Sequence, residues 1–266
     1  MKKYMLDKIK NFVHGNGIPI IAVADAGRLN KTAPAGFRPG DYLPGANSVI
    51  IIAKPLIMAS YEAKNDPHYI FYTRAFSDNY LLMNNISSRA ASDLEKAGYP
   101  SLPIPAYSPL KYHKGDPLGV MSLKHAAQEA GIGKIGKNTL LIHPQPGNIL
   151  RFGGIITTLK LPAGSPVDDN KICPPGCDLC EKNCPAGALK NGAINKTKCM
   201  TRCIAHPLLP PYPVQAGIKW LSSKSRRISS FLYYFTLSNF ESYGIKCMEC
   251  LLVCPHFPGD RMHGKK

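Results

Sequence analysis

The chain has 266 residues, with 33 lysines and arginines against 17 aspartates and glutamates, and a formal net charge of +16. No apolar run reaches the ~18 residues that a membrane span requires, and MKKYMLDKIKNFVHGNG lacks the apolar centre of a signal peptide. These features argue against a membrane-spanning protein and a secreted one. They predict a cytoplasmic protein with no membrane partner.

The positive charge has two interpretations that stay open. It can keep the protein soluble, or it can attract a polyanionic partner such as RNA or an acidic electron donor. No basic stripe at helical spacing and no interleaved aromatics decide between them. The densest basic cluster, SSKSRR at 222–227, is predicted to lie in a loop.

The elements before residue 165 alternate between helices and strands. Apolar positions at helical spacing predict a helix over 3–14 and a long one over 68–97, interrupted near Ser77. Short β-branched runs predict strands at 18–25 and 48–56, and SLPIP suggests an extended segment. MSLKHAAQEA is a predicted helix closed by Gly131, followed by predicted strands at NTLLIH and ILRFGGIITTLKL. The mixture predicts an α+β fold.

The segment EAGIGKIGKNTLLIH matches two phosphate-binding patterns, G-x-G-x-x-G and G-x-x-x-x-G-K. Both patterns need a strand before the glycines and a helix after them, because the helix N-terminus must present its amides to phosphate. Here the order is helix, glycines, strand, which excludes a nucleoside triphosphate site. A tight glycine turn remains, serving either as an ordinary helix cap or as a close approach to a large flat ligand.

All nine cysteines follow residue 172, and most fall in two dense runs, ICPPGCDLCEKNCP and KCMECLLVCP. Runs ending Cys-x2-Cys-x3-Cys-Pro indicate paired 4Fe-4S clusters, in which the cysteine before each proline ligates the cluster of the other run. One cluster would therefore take Cys173, Cys177, Cys180 and Cys254. The other would take Cys184, Cys247, Cys250 and either Cys199 or Cys203, which leaves one cysteine spare.

Disulfides and structural zinc are the alternatives to clusters. Disulfides would need a secreted chain, and zinc gives no reason for the repeated Cys-Pro ending. One departure is that the three residues PPG separate Cys173 from Cys177 where two are usual. A Pro-Gly turn can absorb the additional residue.

The cysteine region needs about ninety residues, because small metal folds gain stability from their metal. We therefore predict two modules, an α/β cofactor and substrate module over 1–165 and a cluster module over 166–266.

The ordered set LPGANSVIIIAKPL, YTRAFSDNY, AAQEAGIGKIGKNTLLIHPQPG, FGGIITTLKL and the two cysteine runs resembles the epoxyqueuosine reductases. These are cobalamin-dependent iron-sulfur reductases of a modified tRNA base, related to reductive dehalogenases. The resemblance implies a nitroreductase-like α/β module that holds cobalamin and a ferredoxin-like module that supplies electrons. It favours Cys199, in INKTKC, as the eighth ligand and Cys203 as the spare. Contacts with the corrin are implied for Gly131, Gly133, Gly136, Lys137, Leu141, Phe152 and Thr201.

The resemblance has departures that bear on activity. Ala106, in IPAYSPLKY, stands where the family carries a proton-donating aspartate. Reduction of an epoxide needs a proton source, and Tyr107 and Asp116 are the candidates. After Pro255 only HFPGDRMHGKK follows, where full-length relatives carry a helical-repeat region that helps to grip tRNA.

Two functions are therefore predicted as alternatives. The first is a cobalamin-dependent reductase with two 4Fe-4S clusters that acts on an epoxide, a halide or another reducible small group. Its predicted partners are a low-potential donor of ferredoxin or flavodoxin type and tRNA or another polyanion. The second is a non-catalytic electron-transfer protein with a degenerate docking module. Oxidation-sensitive clusters also predict an oxygen-poor cell.

Overall fold

A computed structural model describes residues 2–63, 69–107, 110–167, 172–206, 210–239 and 244–259. The helices in these ranges are α1 (Lys2–Gly15), α2 (Ala26–Thr32), α3 (Pro39–Tyr42), α4 (Ala59–Glu62), α5 (Tyr69–Lys96), α6 (Leu123–Glu129), α7 (Leu179–Lys182), α8 (Lys196–Cys203), α9 (Tyr212–Lys224), α10 (Arg226–Asn239) and α11 (Glu249–Leu252). None of these helices is long and apolar enough to cross a membrane.

The strands form one larger sheet and several two-stranded pairs. They are β1 (Ile20–Asp25), β2 (Ser48–Pro55), β3 (Ser101–Ile104), β4 (Leu110–His113), β5 (Asp116–Gly119), β6 (Lys134–Ile135), β7 (Leu141–Ile142), β8 (Leu150–Thr157), β9 (Leu189–Lys190), β10 (Ala193–Ile194), β11 (Ile204–Ala205) and β12 (Gly244–Ile245). The larger sheet has the order β1-β2-β8-β3, and each pairing in it is antiparallel.

Helices cover both faces of this sheet. Side chains alternate between the faces of a strand, so Ile50 and Ile52 of β2 enter a core with α1 and α5, whereas Val49 and Ile51 enter a second core with α2 and α6. The four residues are fully buried. A mixed α and β architecture is therefore confirmed.

A third core joins the two ends of the chain. Leu56, Tyr72 and Phe76, from the part before the cysteines, pack with Ile204 and Ile245 of the β11–β12 pair. The two modules predicted from the sequence thus share buried apolar contacts.

Three predicted elements differ from the structure. Helix α5 runs through Ser77 without a break, and the start predicted at His68 lies outside the described residues. The strand predicted at NTLLIH is reduced to Leu141–Ile142 in a short hairpin. The loop predicted at 222–227 was wrong, because α9 and α10 occupy all of it except Ser225 and are linked by a 2.8 Å hydrogen bond from Ser229 Oγ to the Ser222 carbonyl.

Candidate functional site

The first group of thiols lines one cavity. Cys173 and Cys177 lie in the loop before α7, Cys180 lies on α7, and Cys254 follows α11 from the far end of the chain. Burial raises the pKa of Cys180, and the neighbouring thiols of Cys173, Cys177 and Cys254 raise it further. The packing of α11 against α7 brings these distant residues together.

The PPG departure is absorbed within this loop. The Cys177 amide donates to the Pro174 carbonyl at 3.0 Å, and Gly176 takes a positive φ of 74°. This is a backbone conformation that glycine adopts without strain. The additional residue therefore forms a tight turn and leaves Cys173 and Cys177 on the same cavity.

A second group of thiols lies beside the first. Burial raises the pKa of Cys250 to about 12, and the thiols of Cys199, Cys247 and Cys184 contribute to the increase. Cys199 reaches this group from α8, and Cys184 follows α7. The Cys184 Sγ also accepts a 3.3 Å hydrogen bond from the Ala188 amide.

Cys203 lies one turn after Cys199 on α8 and is adjacent to the second thiol group. Its thiol donates to the Cys247 carbonyl at 3.5 Å and packs against the third core. The neighbouring Cys203 thiol lowers the pKa of Cys199, while the contact with Cys199 and burial raise the pKa of Cys203.

The arrangement suits a polynuclear cluster better than zinc. In the described ranges, no three His, Cys, Asp or Glu side chains converge closely enough to hold a single metal ion. Structural zinc would require four ligands about 2.0–2.3 Å from one point. The first thiol group instead surrounds an open space, and the thiols present therefore fit 4Fe-4S ligation.

The glycine turn is docked on both cysteine runs. Helix α6 ends at Glu129 and is followed by Gly131 with a positive φ of 81°, as the sequence predicted. The Lys137 amide donates to Cys173 Sγ at 3.4 Å, and Lys137 Nζ donates to the Cys177 carbonyl at 2.7 Å. Asn138 Nδ2 donates to the Cys250 carbonyl at 3.2 Å.

Protein atoms occupy the space that a side chain would need at Gly131, Gly133 and Gly136. A Cβ on Gly136 would stand 2.6 Å from Ile142 Cδ1, and one on Gly131 would stand 2.5 Å from the Ser165 carbonyl oxygen. A Cβ on Gly133 would overlap the Ile142 carbonyl. Close packing within the chain accounts for the three glycines at these positions, and their contact with a corrin stays a prediction.

The other residues implied for the corrin lie in different settings. Leu141 is buried in the second core, and Phe152 lies half-buried at the edge of the same core. Thr201 is half-buried on α8 and donates to the Thr197 carbonyl at 2.9 Å. Lys137, by contrast, contacts the first thiol group directly through its backbone amide.

The two catalytic candidates occupy unlike environments. Tyr107 packs its ring against Phe76 and Tyr80, with centroids 5.1 and 5.4 Å away. Asp116 forms a 2.7 Å ion pair with Lys219 of α9. This pair ties α9 to the β4–β5 hairpin, which is a structural task.

Arg151 is a buried cation beside the tyrosines that was not predicted from the sequence. It is 7% exposed, and its Nη2 donates to the Tyr72 hydroxyl at 2.5 Å. Its guanidinium carbon lies 5.4 Å from the Phe76 ring centroid, and within the described residues its Nε has no hydrogen-bond partner. One arginine in the otherwise apolar strand ILRFGGII was the signal that could have revealed it.

Comparison with known proteins gives consistent relatives. No protein-family model matches the chain. The epoxyqueuosine reductase of Listeria monocytogenes is 33% identical over 146 residues, which are 54% of this chain and 32% of that protein. The epoxyqueuosine reductase of Salmonella typhimurium is 25% identical over 224 residues, 82% of this chain and 50% of that protein. The chain therefore spans half or less of the length of these relatives.

Solved structures show the same fold. An epoxyqueuosine reductase bound to an epoxyqueuosine-modified tRNA stem loop aligns with a TM-score of 0.63 at 18% identity, over 97% of this chain and 67% of that one. A catabolic reductive dehalogenase aligns with a TM-score of 0.54 at 15% identity, over 86% of this chain and 35% of that one. Together with the sequence matches, these findings show that the chain is similar to the epoxyqueuosine reductases and shares their fold.

Proposed function

We propose that the chain is an iron-sulfur reductase of the epoxyqueuosine reductase type. One 4Fe-4S cluster would be held by Cys173, Cys177, Cys180 and Cys254, and the other by Cys184, Cys199, Cys247 and Cys250. The observation that carries the proposal is the shared cavity of the first group, which unites three thiols of one run with the last thiol of the other. This exchange between runs is the ligation rule of paired clusters.

The backbone would tune these clusters. Amide hydrogen bonds to cluster sulfur stabilise the more negative, reduced state and so raise the reduction potential. The Lys137 amide would serve the first cluster and the Ala188 amide the second. The turn carrying Lys137 also connects the α/β part to the first cluster, which supports electron transfer from that cluster into the α/β part.

A corrinoid is the proposed electron acceptor. When bound, it would supply a strongly nucleophilic or reducing metal centre that single-electron carriers can charge in two steps. Support comes from a structural neighbour described as showing a mechanism for B12-dependent dehalogenation, with a TM-score of 0.54. Among this chain's residues, the partly exposed Lys137, Phe152 and Thr201 are proposed to contact it.

Tyr107 is the proposed proton donor, because Ala106 cannot supply one. The Ala106 amide donates to Asn84 Oδ1 at 2.9 Å, and its methyl group packs into the two sheet cores. The Tyr107 hydroxyl, packed between Phe76 and Tyr80, would give its proton to the reduced substrate.

Epoxyqueuosine in tRNA is the first candidate substrate. A structural neighbour was solved with such a stem loop, and the charge of +16 suits a polyanion. Ala106 favours a second candidate, a non-catalytic electron-transfer protein, since the family's acid is absent.

Turnover of an epoxyqueuosine-containing tRNA stem loop by cobalamin-loaded, reduced protein tests the choice. We expect queuosine to form, and Tyr107→Phe to lower its rate by about 10²-fold without slowing cluster reduction by dithionite. Tyr112→Phe is the matched control, since Tyr112 is another half-buried tyrosine on nearby β4. No conversion by a protein that retains corrin would point to another substrate, and equal rates for the two variants would remove Tyr107 from the proposal.

A further inference from the structure

We propose that the helical hairpin formed by α9 and α10 is the docking surface for an acidic, low-potential electron-donor protein of flavodoxin or ferredoxin type. The inference presupposes the clusters of the proposed function and adds the place where electrons enter. The surface is defined by its most exposed aromatic and basic residues, which are Trp220, Lys224, Arg226, Arg227, Phe231 and Tyr234.

The hairpin carries positive charge without compensation. Residues 212–239 contain four lysines and arginines and no aspartate or glutamate. Lys219 is engaged with Asp116 of β5, while Lys224, Arg226 and Arg227 are exposed to solvent. A surface of one sign accelerates association with a partner of the opposite sign.

Large aromatic side chains stand among these charges. Trp220, Phe231 and Tyr234 are 63%, 65% and 66% exposed. At 3.6 residues per turn, the α10 residues described as exposed fall within roughly 140° of its circumference, with Arg226 at one edge, Phe231 at the other and Tyr234 beside Arg227 between them. Aromatic residues and arginine are the types enriched in protein interfaces.

The hairpin lies next to the second thiol group. Helix α9 packs against α8, which carries Cys199, and packed helices lie about 8–10 Å apart from axis to axis. A partner seated on α9 would therefore be separated from Cys199 by little more than one helix. The hairpin is also held in place, because the Gly115 turn between β4 and β5 abuts the Lys219 carbonyl.

This pattern favours a protein over a membrane surface. Helices that lie in a membrane interface separate a charged face from an apolar one, whereas the described exposed residues of α10 place Tyr234 beside Arg227 on one arc. RNA would also accept basic and aromatic residues, but only an electron donor requires closeness to a thiol group. In the step itself, the donor loses one electron and an oxidised cluster gains it, and no bond forms or breaks.

Stopped-flow reduction of the reconstituted protein by the hydroquinone of an acidic flavodoxin tests the surface, read by bleaching of iron-sulfur absorption. The variant Arg226→Glu/Arg227→Glu should slow the second-order rate at least about 10-fold and weaken its dependence on salt. Lys3→Glu/Lys8→Glu changes the charge equally at exposed positions of α1 and should stay within about twofold of the unmodified protein. Dithionite, a small reductant, should reduce all three proteins alike.

The outcomes separate this inference from the proposed function. Equal flavodoxin rates for the two variants would overturn the docking surface and leave the clusters in place. The docking surface would also be overturned if the hairpin variant kept its flavodoxin rate but lost binding to anionic vesicles or to single-stranded RNA. Loss of vesicle binding would identify a membrane surface, and loss of RNA binding would identify an RNA surface. An unmodified protein without dithionite-bleachable absorption would overturn the clusters themselves.

Discussion

The backbone amide of Lys137 donates a hydrogen bond to the Sγ of Cys173 across 3.4 Å. This contact joins the glycine turn of the α/β part to the first thiol group. The turn is tight because a helix cap at Gly131 and a short hairpin leave no room for side chains at its glycines. Its glycines therefore reflect close packing against Ile142 and Ser165, next to the cysteine loop.

Gly136→Ala should disturb this junction. The added Cβ would stand 2.6 Å from Ile142 Cδ1 and 3.4 Å from Cys173 Sγ, so the turn must move, which costs about 1–3 kcal/mol of overpacking strain. A longer hydrogen bond from the Lys137 amide to Cys173 Sγ should make the midpoint potential of the first cluster more negative. Anaerobic redox titration followed by electron paramagnetic resonance measures this. Gly217→Ala, at an open helical position, is the control, and an unchanged potential in Gly136→Ala would contradict the assignment.

Cys199→Ser and Cys203→Ser should differ although they lie on one helix. Loss of Cys199 should remove the second cluster, about half of the iron of two 4Fe-4S clusters. Loss of Cys203 should leave the iron content unchanged, because its thiol bonds to the Cys247 carbonyl and packs on the third core. Iron and sulfide analysis after reconstitution measures both variants. If Cys203→Ser lost iron and Cys199→Ser did not, Cys203 would be the ligand and Cys199 the spare cysteine.

Gly147→Ala should disturb the packing of the second cysteine run against the α/β part. Gly147 has a φ of +61°, and an added Cβ would overlap the His256 carbonyl, while His256 Nε2 lies 2.6 Å from the Ile172 carbonyl beside the first run. We expect at least about 3 kcal/mol lower free energy of unfolding and lower iron content.

Gly98→Ala separates backbone strain from this clash. Gly98 has a φ of +87°, and a Cβ added there would meet no atom within 4 Å, so its replacement should cost only about 1–2 kcal/mol. Anaerobic urea unfolding compares the two variants. Equal losses would show that the His256 contact contributes nothing.

The free energy of unfolding should fall as pH rises from about 10 to about 12. Burial raises the pKa of Tyr80 and of Tyr112 to about 12 in the folded chain, whereas an unfolded tyrosine ionises near pH 10. A raised folded pKa gives stability that is complete below pH 10 and is lost as pH rises through 12. Urea unfolding at pH 9 and pH 11 should show a smaller decline for Tyr80→Phe. The exposed Tyr4→Phe is the control, and identical declines would contradict the burial of Tyr80.

The cysteine spacing carried most of what could be predicted about the site. The Cys-Pro endings predicted that Cys254 joins Cys173, Cys177 and Cys180, and the structure brings the four together. The apolar runs at 48–56 and 149–161 likewise predicted the central strands, which the structure has at Ser48–Pro55 and Leu150–Thr157. The cysteine spacing and the apolar runs are both patterns formed by residues that lie close together in the sequence.

Features that depend on long-range packing could not be predicted. The 222–227 segment reads as a loop, yet it belongs to α9 and α10 except at Ser225. The two helices pack on each other, and α10 also packs on β4. Arg151 is one polar residue in an apolar strand, and only the fold shows the tyrosines around it. The glycine turn resembles a ligand-binding motif because close approach to neighbouring protein atoms and close approach to a cofactor both require glycine.

Gel filtration of anaerobically reconstituted protein mixed with cobalamin tests the central claim most directly. We expect the eluted protein to contain about eight iron atoms per chain and a corrin with base-off absorption. Iron-sulfur absorption without any corrin would contradict the corrinoid reductase and leave the chain as an electron-transfer protein.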